Sequence, residues 1–210
     1  MTAENTLLFN RKFLAQFKAL MDLHHSLYTR IPPPGPYFES LVEQTFRRSG
    51  WPADGILLST AGAPPHDLRV GEVRLALRTE IGIGTNPELI TLARLCMVET
   101  SVWDSPTVIQ HALDYLARYN GLLMLRAIWG PQRLHYQLLE IPLELLKRMT
   151  EVTLLPVGKR VAQPSLAADV FEGEEKMFRV QFDGADGKCQ IQRLRVSRCR
   201  LLLAWEQLLE

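Results

Sequence analysis

Two apolar runs, Leu122–Trp129 and Leu134–Ile141, are joined by Gly130-Pro131-Gln132-Arg133, and this pair constrains the fold more than any other stretch. Each run has strand length and the connector is turn-like, so together they read as a β-hairpin. One charge, Arg126, interrupts the first run. A charge inside an apolar strand has to be paired or placed at an edge.

The remaining pattern mixes strands with helices. Leu8, Phe13, Phe17 and Leu20 recur at roughly helical spacing and predict a helix over 5–30, which Ile31-Pro-Pro-Pro-Gly-Pro36 stops. Phe38, Leu41, Val42, Thr45 and Phe46 form the apolar stripe of a second helix, 37–48, ended by Gly50-Trp51-Pro52. Residues 56–63 read as a turn-rich loop leading to Asp67, 67–80 as a strand or hairpin, and 89–95 as a strand. Pro106 opens a helix that runs to Tyr119, and Pro142 opens one that runs to Met149. A polar, Pro-containing connector spans 156–168, and three strands follow at 177–183, 189–194 and 199–205. Trp103, Trp129 and Trp205 sit among apolar residues and are expected in the core. Alternation of this kind predicts one α/β domain with a central mixed β-sheet flanked by helices.

Composition narrows the setting. A chain of 210 residues fits a single core, and no stretch reaches the roughly 18–20 apolar residues of a membrane span. Met1-Thr-Ala-Glu-Asn5 has no basic region leading into an apolar one, so no secretion is expected. Cys96, Cys189 and Cys199 are odd in number and lack CxxC spacing, which fits free thiols in a reducing cytoplasm. A formal net charge of +1 argues against a general polyanion binder. The distribution is uneven, however: residues 176–200 carry seven basic side chains against two acidic ones. Eighteen of the 24 basic residues are Arg, the better fork for phosphate and for guanine edges.

The chemistry concentrates in Pro64-Pro65-His66-Asp67 and Arg74-Leu-Ala-Leu-Arg-Thr-Glu80. Side chains two apart on a strand share a face, so Ala76, Arg78 and Glu80 line one side and Leu75, Leu77 and Thr79 the other. With Asp67 at the mouth of the paired strand, a cation and two carboxylates converge. Hard oxygens of this kind hold Mg²⁺ against a phosphate. His66 either donates to that phosphate or shapes the turn. Glu39 and Glu43 lie one turn apart on the second helix, and Glu39 alone reads as a solvated helix-face residue. His24-His25 reads as a surface pair, because neighbours on a helix point about 100° apart. Gly82-Ile-Gly-Thr-Asn-Pro87 does not match a phosphate loop, and no Lys-Ser/Thr follows it.

His66-Asp67, Ala76-Leu-Arg-Thr-Glu80, Tyr136-Gln-Leu-Leu-Glu-Ile-Pro142 and Phe182-Asp-Gly184 with Gln190-Ile191 resemble, in the same order, blocks of the SmaI-type restriction endonucleases, a PD-(D/E)XK group. The resemblance covers roughly 40–205. It implies a restriction-endonuclease-like nuclease domain over 37–210, preceded by an N-terminal helix and connector over 1–36. It also implies Mg²⁺-dependent cutting of both strands of duplex DNA at a short, GC-rich palindrome by a homodimer, in a cell that carries a cognate DNA methyltransferase. A palindrome suits a two-fold symmetric reader.

Carried over by position, Asp67 matches the metal-binding aspartate. Ala76 stands where many such enzymes have a second acid, so Glu43 or Glu80 is expected to supply it. Arg78 stands where the pattern has lysine. Arg can stabilise charge growing on the scissile phosphate, but it cannot act as a base. Arg78 thus leaves two readings, a working nuclease or a catalytically degenerate DNA-binding relative. Lys188, Gln190, Gln192, Arg193 and Arg195 are the expected DNA contacts. Arg126 is either half of a structural ion pair or a further residue facing DNA.

Overall fold

The computed structural model describes residues 8–59, 67–159 and 163–209, and the chain divides into two compact units. Met1–Thr85, Arg118–Pro142 and Cys199–Glu210 form the first; Asn86–Ala117 and Leu143–Arg198 form the second.

In the first unit, helix α1 (Arg11–Leu27) begins at Asn10, whose side-chain oxygen accepts from the Phe13 N–H at 3.0 Å. Helix α2 (Gly35–Arg48) begins in the proline run, where a missing N–H is tolerated. The strands are β1 (Ile56–Leu58), β2 (Leu68–Val70), β3 (Val73–Glu80), β5 (Gly121–Trp129), β6 (Arg133–Ile141) and β11 (Arg200–Leu208). They hydrogen-bond in the order β1-β2-β3-β5-β6-β11, with β3 and β5 parallel and the other pairs antiparallel. This is the mixed sheet the alternation predicts.

Phe13, Phe17, Leu20 and Met21 of α1 and Phe38, Leu41, Val42 and Phe46 of α2 are buried with Leu75 and Leu77, Leu123 and Leu125, and Tyr136 and Leu138 of the sheet. The packing consumes the Leu75/Leu77 face of β3, so Ala76, Arg78 and Glu80 fall on the other face. Trp129 and Trp205 pack against this core half-buried.

The second unit is an antiparallel sheet in the order β4-β10-β9-β8-β7. It comprises β4 (Leu89–Met97), β7 (Leu155–Val157), β8 (Ser165–Glu172), β9 (Glu175–Phe182) and β10 (Lys188–Arg195). Helix α3 (Ser105–Leu116) is capped by Asp104, which accepts from the Thr107 N–H at 2.9 Å, and it buries Val108, Ile109, Ala112 and Leu116. Helix α4 (Leu143–Lys147) follows β6 and runs into a 3-10 turn, Arg148–Glu151.

Two corrections concern strands. The 156–168 segment is not all connector: its ends form β7 and the start of β8, paired as Leu155↔Ala167 and Val157↔Ser165, while 160–162 lie outside the described residues. The turn-rich 56–63 stretch opens with β1, whose three residues are too few to show a period. The cysteines are free thiols; Cys96 and Cys189 are buried and directly opposite each other across β4 and β10. Among the described residues no helix is long and apolar enough to cross a membrane.

Candidate active site

A two-residue turn, Gly71-Glu72, folds β2 back on β3, and Gly71 supplies the positive φ (59°) that this tight hairpin needs at its first position. The register Leu68↔Leu75 carries Asp67 opposite Ala76. One carboxylate oxygen of Asp67, Oδ2, accepts from the Leu77 N–H at 2.7 Å and from Arg78 Nη1 at 2.6 Å. Arg78 Nη1 also donates to the Leu77 carbonyl at 2.6 Å. Asp67 and Arg78 each keep 22% of their side-chain surface exposed, so the pair is sheltered yet reachable from solvent. Asp67 Oδ1 carries no hydrogen bond among the described residues. His66 lies outside them.

The structure adds a carboxylate that the sequence reading set aside. Glu39, on α2, is half-buried rather than solvated, and it makes no hydrogen bond or ion pair among the described residues. Burial raises its pKa, the charge of Asp67 raises it further, and Arg78 pulls the other way. Two acids therefore stand close enough to repel. The clue in the sequence was indirect: Ala76 leaves the position opposite Asp67 without a carboxylate.

The two acids expected there are engaged elsewhere. Glu43 Oε1 accepts from Arg47 Nε at 3.1 Å and Nη2 at 2.8 Å, an ordinary pair one helical turn apart. Glu80 Oε2 accepts from Arg126 Nε at 2.6 Å, across the parallel register Glu80↔Arg126. Arg126 is fully buried, and its Nη1 donates to Gln137 Oε1 at 2.8 Å on the next strand. Of the two readings left open for Arg126, the structure selects the ion pair; DNA contact by this residue is corrected, since no part of its side chain reaches the surface.

Asp67 and Glu39 fit a divalent cation by the chemistry of their donors. Both are hard oxygens, Glu39 has no hydrogen bond or ion pair among the described residues, and their mutual repulsion is what a cation relieves. Among the described residues no three or more His, Cys, Asp or Glu side chains form a preassembled metal cage. A site with two chain carboxylates is the kind Mg²⁺ uses, with water and substrate phosphate completing its shell.

Comparison with known proteins gives the family. The family model described as SmaI, type II site-specific deoxyribonuclease, matches residues 5–207. The chain belongs to the SmaI family. The type II restriction enzyme SmaI of Serratia marcescens is 25% identical over 209 residues, covering 96% of this chain and 82% of that relative. No solved structure matches the chain. The family identifies the protein as a type II site-specific deoxyribonuclease, an enzyme whose substrate is DNA.

Within this SmaI-family chain, the expected DNA contacts all lie on β10 in the second unit. Gln190 and Gln192 share its half-buried polar face, with Gln192 Nε2 donating to Gln190 Oε1 at 2.9 Å. Lys188 pairs with Asp186, and Arg195 with Glu175 at 3.2 Å. The basic surplus of 176–200 is largely answered by acids outside that window. Lys176 and Arg179 pair with Asp169, Arg198 with Glu172 and Glu175, and Arg200 with Glu140. Arg193 alone of the seven makes no ion pair among the described residues.

His24 and His25 also depart from the reading. They are not a surface pair; each is only 3% exposed. Their rings meet edge to face with centroids 5.0 Å apart, and both are covered. His24 Nε2 meets the Ile31 carbonyl at 2.6 Å, and His25 Nε2 meets the Tyr136 hydroxyl at 2.9 Å.

Proposed function

We propose that this enzyme makes Mg²⁺-dependent double-strand cuts in duplex DNA at a short, GC-rich palindrome, acting as a homodimer in the cytoplasm. A cognate DNA methyltransferase would protect the host sites. The observation that carries the reading is Glu39: a half-buried carboxylate with no hydrogen bond or ion pair among the described residues, beside the Asp67–Arg78 pair.

In this reading Asp67 and Glu39 hold the metal, while Glu43 and Glu80 stay in their pairs with Arg47 and Arg126. Bound there, Mg²⁺ supplies Lewis acidity toward the phosphate and an ionised nucleophile at neutral pH. Asp67 fixes Arg78 through Oδ2, which aims the guanidinium at the phosphate oxygens where charge develops. Arg78 remains protonated throughout, as an arginine guanidinium does at neutral pH. Lys188, Gln190, Gln192, Arg193 and Arg195 line the strand that meets DNA, and the arginines suit guanine.

The test is incubation of purified protein with a plasmid of known sequence in Mg²⁺ or EDTA, followed by mapping of the ends. Discrete, Mg²⁺-dependent ends are expected, and Asp67→Ala should lose cutting while retaining binding. An Asp67→Ala enzyme as fast as wild type would refute the site.

Arg78 in the lysine position favours one other reading, a degenerate relative that binds DNA without cutting it. Arg78→Lys separates the two. Cutting gained by that variant from an inactive wild type would establish degeneracy, whereas an active wild type removes it.

A further inference from the structure

Strand β10 contains a β-bulge that the sequence does not announce with a glycine. Its register against β4 runs Ile191↔Leu92 and then Leu194↔Ile90, so Gln192 and Arg193 together oppose Thr91. Arg193 takes φ 57° and is, among the described residues, the one non-glycine in the left-handed region. A long side chain is disfavoured there, and glycine is the usual occupant of such a bulge.

The distortion has a definite effect on side-chain direction. Cys189 and Ile191 are buried, and strict alternation would bury residue 193 with them. The extra residue shifts the phase: Leu194 becomes buried, while Arg193 and Arg195 are exposed. Arg193 then lines a cleft of about 590 Å³ with Asn86, Glu88, Lys176, Arg195 and Ser197. Lys176 and Arg195 are already paired, with Asp169 and Glu175, and Glu88 adds a further carboxylate. Among the described residues Arg193 is therefore the one cation of the cleft that makes no ion pair, and Glu88 is the one carboxylate in its lining.

We infer that Arg193 is a specificity-determining residue that reads the edge of a guanine in the DNA site. The inference rests on the nuclease reading above and deepens it. A phosphate contact needs neither a strained backbone nor a fixed direction. A base edge is neutral, and guanine presents the O6 and N7 acceptors in the major groove that match two donors of a guanidinium.

The experiment selects bound sequences from a random duplex pool with Ca²⁺ in place of Mg²⁺, so that it does not depend on cutting. Affinities are then measured for the enriched duplex and for a scrambled one. Glycine accepts φ 57° better than arginine does, so Arg193→Gly removes the guanidinium while easing the backbone, and its thermal midpoint should equal or exceed that of wild type. Its affinity for the enriched duplex should fall about ten- to a hundredfold, with affinity for the scrambled duplex unchanged. It should also cease to distinguish one G·C pair of the site, and Arg193→Lys should not restore that discrimination.

An equal loss on both duplexes, with a shallower salt dependence, would mean a phosphate contact and overturn the inference. Undiminished discrimination by Arg193→Gly would overturn it too, leaving the nuclease reading intact. A wild-type protein that enriches no sequence would overturn both.

Discussion

Glu39 stands beside Asp67 across the gap between α2 and the β2–β3 hairpin, and Arg78 acts on both carboxylates. Asp67 has hydrogen-bond donors for one oxygen; Glu39 has none among the described residues. The first acid is fixed by the fold, and the second is held near it against their repulsion. Folding thus keeps an unfavourable charge arrangement in place, as a binding site for a cation does.

Glu39→Gln should therefore stabilise the metal-free protein at neutral pH while weakening metal binding. The folded-state pKa of Glu39 is raised, so its contribution to stability is present below the unfolded pKa and lost as pH rises through the folded one. At pH 7 the wild type bears this penalty and the glutamine variant does not. Urea denaturation in EDTA should show Glu39→Gln the more stable of the two. Mg²⁺ should raise the wild-type midpoint much more than the variant's, and the Mg²⁺ concentration for half-maximal cutting should rise at least about tenfold. Equal response of both proteins to Mg²⁺ would remove Glu39 from the site.

Asp67 and Arg78 should behave as one device. Asp67→Ala and Arg78→Ala are each expected to slow single-turnover plasmid cutting by on the order of 10²–10³-fold. Because Asp67 positions Arg78, the double variant should be little slower than the worse single one. Multiplicative losses would show that the two act independently.

The facing of β3 was legible because alternation over 74–80 is long enough to fix which side chains share a face, whereas 67–80 read equally as a strand or a hairpin and its register was not. The mixed sheet followed from the alternation of strands and helices along the chain. Glu39 was not legible, since its neighbour Asp67 is distant in sequence and only the α2–hairpin packing brings them together. Arg126 was readable as a charge that must be paired or lie at an edge, but its partner was not, since it depends on β3 and β5 being parallel neighbours. The bulge at Arg193 has no local signature, because the residue there is the opposite of what the backbone prefers. His24 and His25 misled for a related reason: what covers each ring is tertiary.

Glu80 and Arg126 should prove structural. Removing one partner of a buried ion pair strands the other charge, so Glu80→Ala is expected to lose about 3–5 kcal/mol in urea denaturation. Replacing both, as Glu80→Leu with Arg126→Met, should recover most of that loss and leave cutting per folded molecule near wild type. Unchanged stability with abolished cutting in Glu80→Ala would instead return Glu80 to the metal site.

His25 should set the acid limb of stability. Its Nδ1 faces the Tyr28 carbonyl at 3.1 Å, which only accepts, so Nδ1 carries the proton and Nε2 accepts from the Tyr136 hydroxyl. Burial lowers the pKa of His25, and neighbouring His24 lowers it further. For a depressed histidine the folded state binds fewer protons than the unfolded one. The stability it contributes is therefore present above the unfolded pKa of about 6.5 and is lost as pH falls through the folded value. Protonation would also oppose a donor to the Tyr136 hydroxyl beside a second imidazole. Glutamine can accept from Tyr136 without titrating. His25→Gln should accordingly show a flatter fall in thermal midpoint between pH 7 and pH 5 than wild type, and parallel curves for the two proteins would assign the acid limb to other groups.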